Sequence, residues 1–466
     1  MSEAQLNSYA ETLPSFITTP REEFEPYAAT LTIPTSFEDE APAEARHSAD
    51  RLEDLPEDTI VFANIERTAI GDFNGAFKDV KATELGGQLV RSVLEGTGID
   101  DIGKQVDAIF VGQIFQTDDG MAPANQIKYF LGGDGEAIIS DRALYHSING
   151  ACGSPLHAIL TAVSKIRDKG NDVELVIAAG IESMTRAPHY MESSRNKRGL
   201  GDIPFIDSVL RGLTDAIKNK DGKNVHMGKT VDDIASLFGI TRENADAYAR
   251  RDHLRAALAI KEGVSGDNVP VEIQLGRGRG TRLVTVDEHV NGETTLESLA
   301  RLRTVFDPNG ILTAGNSSSI NDGAAATIVT TAGKARRIGL VPTLSLRSSG
   351  ERGLPHEQMS LGPILAARIA LKEAGLTIED MDTVEVNAAF APVPLIFGKE
   401  MGVPDHKLNP FGSAVAYGHP VGMSFLAQLK RIENHQRRYP NSIFGLGAIC
   451  IGGGQGGALI VKRVAA

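Results

Sequence analysis

Two cysteines, one histidine and one asparagine have the side-chain types and settings for chemistry on an acyl carbon. Cys152 directly precedes the apolar-periodic stretch 153–168, so its thiol falls at or near a helix N-terminus. Unpaired N–H groups and the helix dipole there favour thiolate, which predicts a lowered pKa. Gly150 and Gly153 let a ligand approach the backbone. Cys450 opens CIGGGQGG (450–457), just after the strand-like 443–449. Three glycines after a strand expose backbone N–H groups suited to an oxyanion or phosphate. No Lys follows them, and the strand-like ALIV (458–461) replaces the helix that a dinucleotide fingerprint requires. His419 lies in YGHPVG (417–422), where Gly418, Pro420 and Gly422 restrict the loop ahead of a helix. An imidazole so held can activate a thiol. Asn387 ends the strand-like VEVN, the end of a strand at which α/β proteins form ligand sites.

Each feature alone has a plainer explanation. A lone Cys is more often a small buried hydrophobe, a glycine run a tight turn, and a single His structural. Together, two thiols and an imidazole suit acyl transfer, with one thiolate attacking a thioester and a second group moving a proton on carbon.

The elements that must position them read as α/β from residue 58 onward. Residues 61–65 and 106–111 are strand-like and 81–97 have helical periodicity. The pattern then returns. Residues 361–375 resemble 85–98, GLTIEDMDTVEVN (375–387) matches 98–112, 417–429 matches NGACGSPLHAIL (149–160), and 443–450 matches 173–180, at offsets of about 267–277. Matches in one order at nearly one offset indicate a duplicated fold of strands alternating with helices, with largely parallel sheets. Between the halves, 186–300 is more polar and reads as an insertion. It contains the run Arg195, Asn196, Lys197 and Arg198 and a helix over 241–262 capped by Thr241. Its cations are either ordinary solvated charge or a surface for a polyanionic small molecule.

Composition removes other classes. The chain has 466 residues, 41% hydrophobic and 23% charged, with no Trp and a net charge of −13. Residues 1–58 hold fourteen Asp and Glu against three Arg, so the remainder carries only −2. No basic, aromatic stripe suggests a nucleic-acid partner. No apolar run reaches the ~18–20 residues of a membrane helix. Two cysteines cannot build a disulfide framework, which predicts a reducing, cytoplasmic setting, and neither has zinc-ligand spacing. The acidic, Pro-containing segment 1–57 lacks the features of a targeting peptide and reads as a solvated arm, partly disordered or draped over the body.

Over residues 60–466 the sequence resembles the thiolases. CGS (152–154), GIESMTRAPH (180–189), HMG (226–228), TTLESLARLRTVF (294–306), LTAGNSSSINDGAAA (312–326), NAAFAP (387–392), GHPVG (418–422) and CIGGGQG (450–456) occur in thiolase order. The resemblance implies a five-layered αβαβα fold of two similar halves with an inserted CoA-binding loop domain. The expected division is 1–57 as an extension, 58–335 as the first half including 186–300, and 336–466 as the second. It implies Cys152 as the acylated nucleophile, His419 as its base and Cys450 as the carrier of the α-proton. It also implies Asn387 holding a water in one oxyanion hole, and the N–H groups of Cys152 and Gly452 forming the other. His226, Met227 and Ser318 match positions lining the pantetheine tunnel. CoA enters as substrate and product, no metal or other cofactor is required, and a homodimer or tetramer is expected.

The sequence departs from the family pattern in four places. Ala388 stands where NEAF has Glu, Pro155 where CGSG has Gly, and Met423 and Phe425 where GHPxGASG has small residues. The last two are expected to reshape the acyl region. The arm 1–57 has no counterpart. Two alternatives remain open at the level of sequence. A ketoacyl-synthase-type condensing enzyme would not use the second Cys. A thiolase-like acyl-CoA or lipid binder with little catalysis is suggested by Ala388 and the bulky 423–425.

Overall fold

The computed structural model describes residues 33–38, 46–117, 120–130, 139–191, 202–218, 222–276 and 278–465. In chain order the first half runs β1 (Ile60–Arg67), α1 (Ala82–Glu95), β2 (Ala108–Gly112), β3 (Leu144–Ile148), α2 (Ser154–Arg167) and β4 (Leu175–Ser183). An excursion then carries α3 (Met227–Leu237) and α4 (Arg242–Lys261) before the chain returns as β5 (Asn321–Thr331). The second half runs β6 (Leu344–Gly353), α5 (Gly362–Ala374), β7 (Thr383–Val386), α6 (Pro392–Met401), α7 (Ser424–Arg438), β8 (Phe444–Ile451) and β9 (Gln455–Ala465).

The strand order is β3-β2-β4-β5-β1 followed by β6-β9-β8-β7. The duplication is visible here, because β2-β4-β5-β1 and β7-β8-β9-β6 are the same path. Both copies have one parallel pair, β2 with β4 and β7 with β8, followed by antiparallel pairs. Both interrupt the register in their last pair, at Ala326/Ile328 and at Leu346/Ser348. The halves join edge to edge through only two residue pairs, Leu344 with Phe62 and Ser345 with Val61.

The sheets are mixed, which corrects the expectation of largely parallel ones. β8 turns straight back into β9 through 452–454, and a hairpin return makes an antiparallel pair that needs no crossover helix.

Side-chain alternation sets the layers. On β4, Leu175, Ile177, Ala179 and Ile181 face a core shared with Leu85, Leu89 and Val93 of α1. Val176 and Ala178 face the opposite core, with Leu156 and Ile159 of α2 and Phe425, Leu426 and Leu429 of α7. On β9, Leu459 and Val461 join that middle core, whereas Ala458 and Ile460 face Ile364 and Leu371 of α5. The result is a five-layered α-β-α-β-α stack with α2 and α7 in the centre. Central position explains why every residue from 424 to 436 is buried, and why the polar ones are paired. Arg431 meets Glu385 at 2.7 Å, and Lys430 meets Glu433 at 3.1 Å and Glu66 at 3.4 Å.

The expected helix over 241–262 is α4. Thr241 caps it by accepting from the N–H of Asn244, whose side chain bonds back to the Thr241 N–H. Of the acidic extension, 33–38 and 46–57 are described and the rest lies outside the described residues. Phe37 is fully buried beside Phe411, at 5.0 Å between ring centroids, and Tyr439 donates to its carbonyl at 2.7 Å. Asp50 and Arg51 add a short parallel pairing to β9. The cationic run 195–198 also lies outside the described residues.

Candidate active site

The turn between β3 and α2 presents Cys152. Gly150 N–H donates to Ser154 Oγ at 2.9 Å, and that hydroxyl donates to the Ala151 carbonyl at 2.7 Å. Asn149 Oδ1 accepts from the Ala151 N–H at 3.2 Å. These bonds hold Ala151 at φ +49°, a left-handed conformation that alanine rarely takes, and this sharp corner carries the thiol forward. Pro155 is accommodated in the first helical turn, where no N–H is required.

The expected lowering of the Cys152 pKa is not found. Burial pushes the thiol up, a nearby carboxylate, Glu182, adds to the rise, and hydrogen bonds from the backbone of Gly452 and of Cys152 itself oppose it. Desolvation of the charged form outweighs the helix terminus. The Gly452 bond is informative, because it comes from the other half of the molecule and ends at the sulfur.

Cys450, near the end of β8, is 2% exposed. Burial pushes its thiol far up, and negative charge on Cys152 raises it further, so the two sulfurs are electrostatic neighbours. After Cys450 the chain turns through Gly453 (φ +91°) and Gly454 (φ +87°) into β9. Gly452 sets no side chain into this turn, and the flexible end of Met227 lies against it, 2.5 Å from where a Cβ would fall.

His419 is set from both sides. Its N–H donates to Asn321 Oδ1 at 2.9 Å, and Nδ1 lies 2.6 Å from Ser424 Oγ. The Ser424 hydroxyl donates its only proton to the Pro420 carbonyl at 2.8 Å. Nδ1 must therefore be the donor in the 2.6 Å contact, and Nε2 is left bare. Asn387 Nδ2 faces that bare nitrogen at 3.4 Å. Burial lowers the imidazole pKa to about 4, so His419 is a neutral base near neutral pH. Asn387 ends β7's run and donates its N–H to the Ala448 carbonyl on β8, which anchors it beside the Cys450 strand.

The structure thus brings Cys152, Gly452 and Cys450 together, and His419 with Asn387. The residues expected along a tunnel border the same region. Met227 lies against Gly452, and the Ser318 N–H donates to the Ala389 carbonyl at 2.9 Å. His226 caps α3 and stacks on Phe306 at 4.4 Å, and Phe306 meets Phe390 edge-on at 5.7 Å. Lys229 of the same helix is tied to Asp233 and Asp307.

Met423 and Phe425 are the two bulky residues expected to shape the acyl region. Both are buried in the middle core, Met423 near Gly323 and Phe425 near Gly447, where they fill space between the sheets. Cys152 packs against that core and also against a smaller cluster of Phe115, Met184, Val209 and Val421. Ala388, at the position of the usual Glu, is fully buried.

Three residues escaped the sequence reading. Ser424 fixes the imidazole tautomer and stands in the same motif as His419. Asn321 orients the His419 backbone. Glu182 is a buried carboxyl closing the otherwise apolar β4, and a lone charge in such a strand was the available signal.

A duplicated αβαβα sandwich with two thiols at the seam of its halves defines the class of fold. Comparisons with known proteins specify the family. The family model for the thiolase N-terminal domain matches residues 60–333, and that for the thiolase C-terminal domain matches 340–463. An acetyl-CoA acetyltransferase of Thiocystis violacea is 37% identical over 409 residues, covering 87% of this chain and 100% of its own. The crystal structure of human mitochondrial 3-ketoacyl-CoA thiolase aligns with a TM-score of 0.80 at 31% identity, covering 88% of this chain and 100% of its own. A structure of that human enzyme in complex with CoA also aligns at 0.80 and 31%, covering 87% and 98%. The chain belongs to the thiolase family.

Proposed function

We propose that the chain cleaves 3-ketoacyl-CoA with CoA, giving acetyl-CoA and a shortened acyl-CoA, and runs the reverse condensation of two acetyl-CoA, through an acyl-Cys152 intermediate. The meeting of two unlike thiols across the seam carries the reading. Cys152 is half-buried and bonded by the Gly452 backbone, and Cys450 is fully enclosed and held protonated.

The Cys152 proton passes to the bare Nε2 of His419, and the thiolate attacks the 3-keto carbonyl. The bond between Cα and Cβ breaks, leaving the acyl group on sulfur and an acetyl-CoA enolate. Cys450 protonates the enolate carbon, a task for which a thiol kept neutral by burial is suited. The incoming CoA thiol gives its proton to the Cys450 thiolate and takes the acyl group from Cys152. The His419 proton returns to Cys152, and atoms and charge balance. The N–H groups of Cys152 and Gly452 receive the oxyanion at the acyl carbon. Asn387, with His419 and a water, receives the enolate oxygen. Losing one such donor typically costs ~10²–10³ in rate. Splitting the reaction at a covalent acyl enzyme predicts ping-pong kinetics.

CoA is substrate and product, and no step calls on a resident metal or other cofactor. His226, Met227 and Ser318 are assigned to the pantetheine arm and the 186–300 segment to the rest of CoA, within a division into 1–57, 58–335 and 336–466. The acetyl-CoA acetyltransferase and 3-ketoacyl-CoA thiolase names of the relatives support this substrate class and a place in fatty acid metabolism. An unpaired thiol pair fits a reducing cytoplasm. A homo-oligomer fits the edge strand β3, whose Leu144 and Tyr145 are 44% and 45% exposed in the single chain.

The test is CoA-dependent cleavage of a 3-ketoacyl-CoA panel from C4 to C16, with acetoacetyl-CoA followed through its Mg-enolate absorbance. Cys152→Ala abolishes acylation, and Cys450→Ala retains it but blocks proton exchange. No turnover with any member of the panel rejects the proposal.

A further inference from the structure

Glu182 is fully buried at the end of β4, and among the described residues no cationic side chain pairs with it. Its ligands are backbone N–H groups from two separate loops. Phe115 donates to Oε1 at 3.1 Å and Ile114 to Oε2 at 3.2 Å. The Gly422 backbone supplies another hydrogen bond, and a Cβ on Gly422 would lie only 3.0 Å from Oε2.

Each loop leads to a reacting group. The Ile114 carbonyl accepts from Asn149 Nδ2 at 3.1 Å, and the Gln113 N–H donates to Ile148 at 3.0 Å, so this segment grips the turn that ends in Cys152. Gly422 closes the 418–422 loop that carries His419, and the Met423 N–H donates back to the Pro420 carbonyl at 3.0 Å. The nucleophile belongs to the first half and the base to the second, and their sheets meet through a single strand pair of only two residue pairs. One carboxyl group therefore spans the seam at the level of the chemistry.

We propose that Glu182 is a positioning residue for this reaction, holding the nucleophile loop and the His419 loop in register across the two halves. The inference rests on Cys152 and His419 being the reacting pair. The titratable groups facing Glu182 are Cys152 on the nucleophile loop and Asp322 on β5; Ile114, Phe115 and Gly422 bring none. Asp322 is itself bonded by the Thr185 N–H at 3.0 Å. Burial raises the Glu182 pKa to about 8, so the carboxyl is charged in the alkaline range where Cys152 ionises, and its charge opposes that ionisation.

The experiment is Glu182→Gln in the full chain, read by steady-state kinetics, thermal unfolding and the pH dependence of Cys152 alkylation by iodoacetamide. The variant puts an NH₂ group against one of the N–H donors and removes the charge. The expected result is a kcat lowered about tenfold or more with KM for CoA within about twofold, and an alkylation midpoint moved to lower pH. A lowered unfolding temperature with kcat and midpoint unchanged reduces Glu182 to structural cement and overturns the proposal. Glu182→Asp is the second variant. It keeps the charge and retracts by one methylene, so kcat falls while the alkylation midpoint stays with the wild type. Wild-type kcat in Glu182→Asp overturns the proposal even if Glu182→Gln does not fold. Turnover that survives Cys152→Ala would defeat the catalytic reading instead. An active, Cys152-dependent wild type matched by both variants defeats this inference alone.

Discussion

Ser424→Ala isolates the tautomer argument. In the wild type the Ser424 oxygen accepts from His419 Nδ1–H at 2.6 Å while its own proton goes to the Pro420 carbonyl at 2.8 Å. Alanine removes that acceptor and leaves Nδ1–H unpaired among buried atoms, a penalty of about 1–3 kcal/mol. The ring can then move its proton to Nε2, where it no longer accepts from Cys152. If the whole penalty falls on the competent state, the acylation rate drops about 5- to 150-fold, taking 1.36 kcal/mol per decade. Ser424 is buried at the start of α7, so KM for CoA should stay within about twofold. The assay is acetoacetyl-CoA cleavage near pH 8, with a single-turnover measurement of acyl-Cys152 to separate acylation from release. Ser424→Ala retaining kcat within twofold refutes the tautomer assignment.

Gly418 sits at φ +99°, and a Cβ there would lie 2.4 Å from the Asn321 side chain that orients His419. With ψ at 172°, Gly418 is in a region essentially reserved for glycine, so Gly418→Ala is expected to lower kcat more than tenfold and to destabilise the fold by about 1–3 kcal/mol from the backbone conformation alone; an active variant of unchanged urea midpoint contradicts this. Phe37→Ala empties the aromatic niche between Phe411 and Tyr439 and should cost up to about 3 kcal/mol in urea unfolding. An unchanged midpoint would place the extension outside the cooperative unit. With its pKa near 4, His419 stays neutral well below pH 6.5. A kcat/KM profile in the free enzyme should therefore have no acid limb near 6.5, and finding one assigned to His419 by its loss in His419→Asn would contradict the burial argument.

Much of the fold was legible because duplication repeats local signals. The helical periodicity of 82–95 returns at 362–374, and the strand 108–112 returns as 383–386. Sheet direction was not legible. Strand propensity is blind to pairing, and the hairpin through 452–454 looks locally like the end of any buried strand. The bulk of Met423 and Phe425 was readable, but not which side of the loop they occupied. Their burial between the sheets follows from α7 lying in the central layer, a property of the assembled halves.

By itself the sequence determined the chemical alphabet of the site. Cys152 before a helix, His419 in a glycine–proline loop and Cys450 before three glycines are local patterns, and local patterns are what a chain encodes at short range. Only the tertiary structure decided what those groups are. The way the 418–422 loop folds onto the start of α7 sets Ser424 Oγ against Nδ1 and leaves Nε2 of His419 bare. Enclosure by both halves raises the two thiols against the pull of a helix terminus. The reason is that a pKa depends on solvent exclusion, and even the short-range contact of Ser424 with His419 depends on how the folded loop orients the two side chains, which the order of residues does not state.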